Sequence, residues 1–241
     1  MDGLQLVAVL GAVFAGAATQ RVTGLGFALV AAPFLVLVLG PFEGVLLSNL
    51  LGLTVSVVVL AVTWRHVDSR RVALLAAPAL LAVPVGAWVA RSLPGPQLLV
   101  AVGGLVLVGL VAVLCSQRAR VFRGTGGALS AGAMSGFMNA SAGVGGPAVT
   151  LYALSTDWRH PTFIPSVQCY FALVSAGSLA TKGLPSLPGA SLAMVLLALA
   201  LGLAAGEVLT RWVSSDQARS AVAGVALLGA TGTVVKGLVS W

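Results

Sequence analysis

The sequence predicts an all-α polytopic membrane protein made of two inverted repeats, each a broken, re-entrant helical hairpin followed by three transmembrane helices. Three observations predict it. Of 241 residues, 59% are hydrophobic and only 8% charged, where an ordinary soluble domain carries about 25% charged residues; the mean hydropathy is +1.06. Long uninterrupted apolar stretches such as Met194–Ala205 (MVLLALALGLAA) lack the period-two alternation of a membrane β-barrel and suit helices of about 20 residues. A polar, glycine-rich interruption also occurs twice, half a chain apart. The composition excludes soluble enzymes, secreted disulfide scaffolds and disordered chains.

The opening MDGLQLVAVL has an acidic residue and no basic lead, so it reads as a retained segment and not as a cleaved signal. The first hairpin is expected over 4–39. Its apolar arms, Leu4–Ala18 and Phe27–Leu39, flank Thr19-Gln20-Arg21-Val22-Thr23-Gly24-Leu25-Gly26. Such arms are too short to cross a hydrocarbon core of about 30 Å at about 1.5 Å per residue. Helices at 42–64, 72–90 and 97–115 complete repeat one, residues 1–120. Repeat two, 121–241, opens with a hairpin over 127–155. There Gly127–Met138 and Pro147–Leu154 flank Asn139-Ala140-Ser141-Ala142-Gly143-Val144-Gly145-Gly146. Its helices are 162–182, which is more polar, 190–210 and 219–239. Broken backbone at membrane depth is tolerated only where protein or trapped water covers it, so the two breaks are where a site is expected.

The duplication rests on matched positions. Gly24 and Gly26 precede Gly143 and Gly145 by 119, as Asn49 precedes Gln168 and Ser56 precedes Ser175. Further on, Gly86, Arg91 and Gln97 precede Gly206, Arg211 and Gln217 by 120. Charge sets the orientation. The net charge is +7, which in a soluble protein would suggest nucleic acid; here no nucleic-acid partner is expected, and the charge reads as basic cytoplasmic loops. With each interrupted region a hairpin, Arg65, Arg70, Arg71, Arg118, Arg120, Arg123, Arg159, Arg211 and Arg219 fall on one side, and Arg91, Lys182 and Lys236 on the other. Treating each region as a full pass nearly removes that bias. A hairpin plus three spans is an odd number of crossings, so the second half is inverted and both termini lie outside. Paired broken segments in inverted halves are the layout of secondary transporters.

The candidate site residues follow from the breaks. Gln20, Arg21, Thr23, Gly24 and Gly26 come from the first, and Asn139, Ser141, Gly143, Gly145 and Gly146 from the second. Glycine lets backbone N–H groups approach a ligand. Helices restarting at Phe27 and Pro147 would turn partly positive N-termini inward. Together with amides, hydroxyls and the Arg21 guanidinium, that is a donor set for a small anion. No carboxylate lies in either break, which disfavours a cation. Tight packing of small residues would explain the glycines, but not Gln20, Arg21 or Asn139. Asn49 and Gln168, each an amide inside a span, should face the bundle interior, lining the cavity or bonding neighbouring helices. Arg21→Ala is expected to abolish transport.

Other residues read more plainly. Cys115 and Cys169 are expected as buried thiols, Glu207 as an ion pair with Arg211 four residues on, and Trp64, Trp158, Trp212 and Trp241 as interfacial anchors. Asp157, Arg159 and His160 read as a solvated loop. His66 and His160 lack partners at metal-ligand spacing. No cofactor, metal or catalytic residue is expected.

Thr23-Gly-Leu-Gly-Phe-Ala-Leu-Val-Ala-Ala-Pro33 resembles the first-repeat signature of the TauE/SafE sulfite-exporter (TSUP) family, and Asn139-Ala-Ser-Ala-Gly-Val-Gly-Gly-Pro-Ala-Val-Thr-Leu-Tyr152 resembles the second. The resemblance covers nearly the whole chain. It implies a permease of the bacterial inner membrane for sulfite, sulfonates or related small organic anions. The expected partners are that small anion, the lipid bilayer and a coupling proton as candidate; the oligomeric state is left open. A transporter of cations or neutral solutes, or a membrane assembly protein, are the alternative readings.

Overall fold

In the computed structural model, residues 2–115, 122–158, 160–213 and 215–241 are described. Arg118, Arg120 and Arg159 lie outside these, as do the side chains of His160 and Arg219. The described chain forms ten α-helices. Hairpin one is α1 (Gly3–Thr23) and α2 (Phe27–Leu39), followed by α3 (Pro41–Thr63), a 3-10 turn at Trp64–His66, α4 (Ser69–Ser92) and α5 (Gly95–Cys115). Hairpin two is α6 (Gly124–Ala142) and α7 (Gly146–Ser155), followed by α8 (His160–Lys182), α9 (Gly189–Leu209) and α10 (Ser215–Val239). Seven helices among the described residues are long and apolar enough to cross a membrane. Many of their large side chains point away from the protein, including Val62, Leu81 and Leu228. This is a polytopic α-helical membrane protein.

Both breaks are shorter than the sequence suggests. α1 runs through Thr19–Thr23 and stops at Gly24; α6 runs through Asn139–Ala142 and stops at Gly143. The polar residues stay helical, and their hydroxyls bond back one turn within their own helix. Thr19 Oγ1 donates to the Ala15 carbonyl (2.9 Å), Thr23 Oγ1 to Thr19 (2.8 Å) and Ser141 Oγ to Phe137 (2.7 Å). What ends each helix is a glycine in the left-handed region, φ 81° at Gly24 and 73° at Gly143. The first arm therefore has 21 residues, about 31 Å at 1.5 Å per residue, and is long enough to span; α2 and α7 are not. Gly143→Ala should cost about 1–2 kcal/mol, the strain of a left-handed Cβ, and its new Cβ would sit 3.2 Å from the Ser48 Cβ. A lowered unfolding midpoint in detergent checks this; an unchanged one would mean the turn relaxes freely.

Each arm folds back on its partner. Phe27 N–H donates to Gln20 Oε1 (3.0 Å), and a Cβ on Gly16 would lie 2.9 Å from that of Ala31, so α1 and α2 are antiparallel. The two hairpins enter from opposite ends of the bundle. Hairpin one turns near Ser56 and Gln168, since Gln168 Nε2 donates to the Gly24 carbonyl and Ser56 Oγ to Gln168 Oε1. Hairpin two turns near Ser48, whose Oγ donates to the Gly143 carbonyl (3.4 Å). Two of the apolar clusters pack the hairpins. Val9, Val13, Phe27, Ala31, Leu35, Leu47 and Leu199 form one; Leu75, Ala79, Ala131, Val149, Tyr170 and Val174 form the other.

Gly86 and Gly206 each sit against the backbone of a neighbouring helix. A Cβ on Gly86 would lie 2.6 Å from the Phe137 carbonyl oxygen and 2.9 Å from the Ala140 Cβ; one on Gly206 would lie 2.6 Å from the Ala18 carbonyl oxygen and 2.7 Å from the Arg21 Cβ. α3 and α8 cross antiparallel, with Ser56 on Gln168 and Asn49 on Ser178. α5 and α10 do the same, with Gly103 against Val234 and Gly237 against Leu99.

Four side chains depart from expectation. Cys115 and Cys169 are free thiols, but Cys115 is exposed and Cys169 half-buried, because they sit on outward faces of their helices. Trp158 is only 8% exposed. It stacks edge-on with Tyr152 and Phe163, with the Arg71 guanidinium 4.9 Å from its ring, while Trp64, Trp212 and Trp241 are exposed. Glu207 pairs with Arg21, across helices, and not with Arg211.

Candidate functional site: a mid-height cavity between two hairpin tips

Two cavities share the side chains of Gln20 and Gln168 as a common wall. The wider, about 480 Å³, is a vestibule bounded by the end of α1 (Arg21, Thr23), the turn at His66 and the start of α8 (Pro161, Ile164). It opens at the end of the bundle that holds Arg65, Arg70 and Arg71. Arg123, Arg91, Lys182 and Lys236 can be placed from the same contacts. α4 and α6 run parallel, with Gly132 on Leu75 and Gly136 on Ala79, which puts Arg123 at the same end of the bundle as Arg70 and Arg71. Arg91, Lys182 and Lys236 sit at the opposite end, where Lys182 Nζ donates to the Ala140 carbonyl (2.7 Å) and Glu43 accepts from Ser186.

The inner cavity, about 50 Å³, lies between the hairpin tips. Leu25, Phe27 and Ala28 face Gly143–Gly146 across it, and α3 and α8 close its sides. Gly52 and Phe171, the central residues of α3 and α8, both line it, so it sits at mid-height of two membrane-length helices. Each tip begins a short helix there, α2 at Phe27 and α7 at Gly146, presenting partly positive N-termini.

The wall between the cavities is a hydrogen-bonded lattice. Gln20 Nε2 (2.9 Å) and Gln168 Nε2 (3.1 Å) both donate to the Gly24 carbonyl, and Ser56 Oγ donates to Gln168 Oε1 (3.0 Å). At the second tip the bonding is incomplete. Asn49 Nδ2 donates to Ser178 Oγ (2.9 Å) and to the Asn139 carbonyl (3.4 Å), but Asn49 Oδ1 and Asn139 Oδ1 are buried with no partner among the described residues. The N–H groups of Leu25, Val144 and Gly145, which line this cavity, also find no acceptor among the described residues. Buried polar groups are nearly always paired, so this concentration of unpaired donors and acceptors marks a place built for a polar occupant. No charged side chain lines it among the described residues.

The site residues expected from sequence divide accordingly. Gln20, Asn49, Asn139, Gly143, Gly145, Gly146 and Gln168 do line the inner cavity. Arg21, Thr23 and Gly24 line the vestibule instead: Arg21 lies one residue past Gln20 of the wall, with its guanidinium drawn to Glu207 of α9. Gly26 and Ser141 line neither. A Cβ on Gly26 would lie 2.8 Å from Thr23 Oγ1, and Ser141 spends its hydroxyl on its own helix. Ser48, Gly52, Ser56 and Ser175, all at the inner cavity, were not among the expected site residues. The 119 offset of Ser56 and Ser175 was the available signal for two of them.

Membrane-crossing helices around a mid-height polar cavity, reached through a vestibule from one end, have the layout of a membrane transporter. The family model described as Sulfite exporter TauE/SafE matches residues 8–233, nearly the whole chain. The chain belongs to that family. No curated protein and no solved structure matches it.

Proposed function

We propose that the protein is a permease of the bacterial inner membrane that moves small sulfur-containing or organic anions, such as sulfite or sulfonates, by alternating access between two inverted repeats. The observation that carries this reading is the inner cavity: unpaired N–H groups at two helix starts, the Asn139 amide, and no carboxylate. Such a donor set suits an anion and offers a cation no counter-charge. The inverted repeats are supported by the antiparallel crossings of α3 with α8 and α5 with α10, and by the matched seats of Gly86 and Gly206. The basic end faces the cytoplasm by the positive-inside rule, which leaves both termini outside and the vestibule open inward. Alternating access then requires the Gln20–Gln168–Gly24 lattice to open and close against the opposite, Lys182-sealed end.

Purified protein in liposomes should carry labelled sulfite down its gradient, competed by other small anions and not by cations. No flux, or competition by cations alone, would end this reading. Arg21 in the vestibule acts at a distance. Arg21→Ala should therefore raise KM several-fold, with little change in maximal rate, and the effect should shrink as salt rises. Stability should change little, because the Arg21–Glu207 pair is about half exposed and such pairs contribute about 0–1 kcal/mol. Abolished maximal rate at saturating substrate would instead put Arg21 at the inner site.

A further inference from the structure

The inner cavity holds more than anion donors. Its wall also carries two amide oxygens, Asn49 Oδ1 and Asn139 Oδ1, each buried and without a donor; Asn49 is 1% exposed and Asn139 4%. The Asn49 amide is oriented by its own bonds. Its Nδ2 serves Ser178 Oγ and the Asn139 carbonyl, and a flipped amide would set its oxygen against that carbonyl. Asn49 Oδ1 is therefore a buried acceptor without a donor, on a residue that lines the same cavity as Val144 and Gly145. A fully deprotonated oxyanion has no hydrogen to give it and would leave it unpaired, which is costly in a buried site.

We infer that the inner cavity selects a singly charged oxyanion that still carries one acidic hydrogen, its O–H donated to Asn49 Oδ1 and its bare oxygens held by the N–H groups of the second hairpin tip. This rests on the anion-permease reading above and names the protonation state of its substrate: hydrogensulfite, not sulfite dianion. The proton then travels on the solute, and no side chain at the site has to bind or release one. The ionisable groups around Asn49 agree. α2 and α6 carry none; α5 carries Cys115 at its far end; α1 brings Arg21 and α9 Glu207, both in or beside the vestibule. α8 begins at His160 and brings Cys169, Tyr170, which donates to the Gly132 carbonyl, and Lys182, which donates to the Ala140 carbonyl; the turn at Trp64–His66, packed on α3 and α8, brings Arg65 and His66, the latter at the vestibule. Glu43, in the first turn of α3, binds Ser186. None of these lines the cavity.

The test measures sulfite uptake by the purified protein in liposomes across the pH range where hydrogensulfite gives way to sulfite, with methanesulfonate, which has no acidic hydrogen, as competitor. The KM counted as total sulfite should rise towards about tenfold per pH unit as the dianion takes over, while the KM counted as hydrogensulfite stays constant. Methanesulfonate should inhibit at least about tenfold more weakly than sulfite binds, or not at all, and any inhibition constant should be flat with pH. Asn49→Leu, where it folds, should bring the two anions to near-equal affinity. A KM constant in total sulfite, methanesulfonate binding as well as sulfite, or an inhibition constant that moves with pH would overturn the inference and leave the permease standing. Complete absence of sulfite flux would overturn the permease reading itself.

Discussion

Asn139→Leu is expected to cut anion flux by more than about tenfold while the protein stays folded in the membrane. Asn139 lines the inner cavity, is 4% exposed and makes no side-chain hydrogen bond among the described residues. Its amide therefore adds little to the fold; exchanging an unpaired buried amide for an apolar group of similar shape is neutral or stabilising. Its loss falls on the occupant. A hydrogen bond to a charged group contributes about 1.5–3 kcal/mol, and about 1.4 kcal/mol corresponds to a factor of ten. Two measurements decide the matter, initial flux in liposomes and the unfolding midpoint in detergent. Full flux with a lowered midpoint would make Asn139 a structural residue and move the site elsewhere. Asn139→Gln, which keeps the donor at a longer reach, should retain part of the flux.

Gly136→Val should have the larger effect on the fold. Gly136 of α6 sits on the backbone of α4: a Cβ there would lie 2.6 Å from Ala79 Cα, closer than any relaxation of a side chain can relieve. Gly132, one turn away, meets Leu75 in the same way. Overpacking a well-packed core costs about 1–3 kcal/mol, and here the obstacle is backbone. Separation of α4 from α6 should follow, with loss of monodisperse protein on extraction and of the second hairpin's position. Gly126→Val in the same helix, whose Cβ would meet nothing within 4 Å, is the matched control and should behave as wild type. Equal yields from the two would show that α4 and α6 are not held at this contact.

Much of the architecture could be read before any coordinates. The six expected spans agree with α3, α4, α5, α8, α9 and α10 to within a few residues, because a membrane helix is defined by the length of its apolar run. The two breaks were placed correctly in the chain because glycine is the residue that ends a helix in the left-handed region. Their extent was not. Thr19, Thr23 and Ser141 look like loop residues in a string, yet a hydroxyl can bond its own helix one turn back, and a sequence does not say which acceptor a side chain will choose. For the same reason the first arm reaches the length of a full span.

The lining of the inner cavity was half legible. The 119 offset ties Asn49 to Gln168, and both stand at the inner cavity. Arg21, the most conspicuous residue of the first break, lies outside it. Its helical position, one residue past Gln20, turns it by about 100° towards α9, where Glu207 meets it. Glu207 could equally have reached Arg211, four residues on in the same helix end, so the partner depended on how α1 and α9 pack.

Hydrophobicity, glycine placement and the half-chain offset thus sufficed for membrane class, helix count outside the hairpins and the location of the breaks, since these depend on local composition and on the thickness of a bilayer. The contents of the cavity depended on long-range packing. Which amides share the Gly24 carbonyl, which acceptors at Asn49 and Asn139 stay unpaired, and where Arg21 finds its counter-charge all follow from helices distant in sequence being brought within hydrogen-bonding reach, and no local pattern encodes those distances.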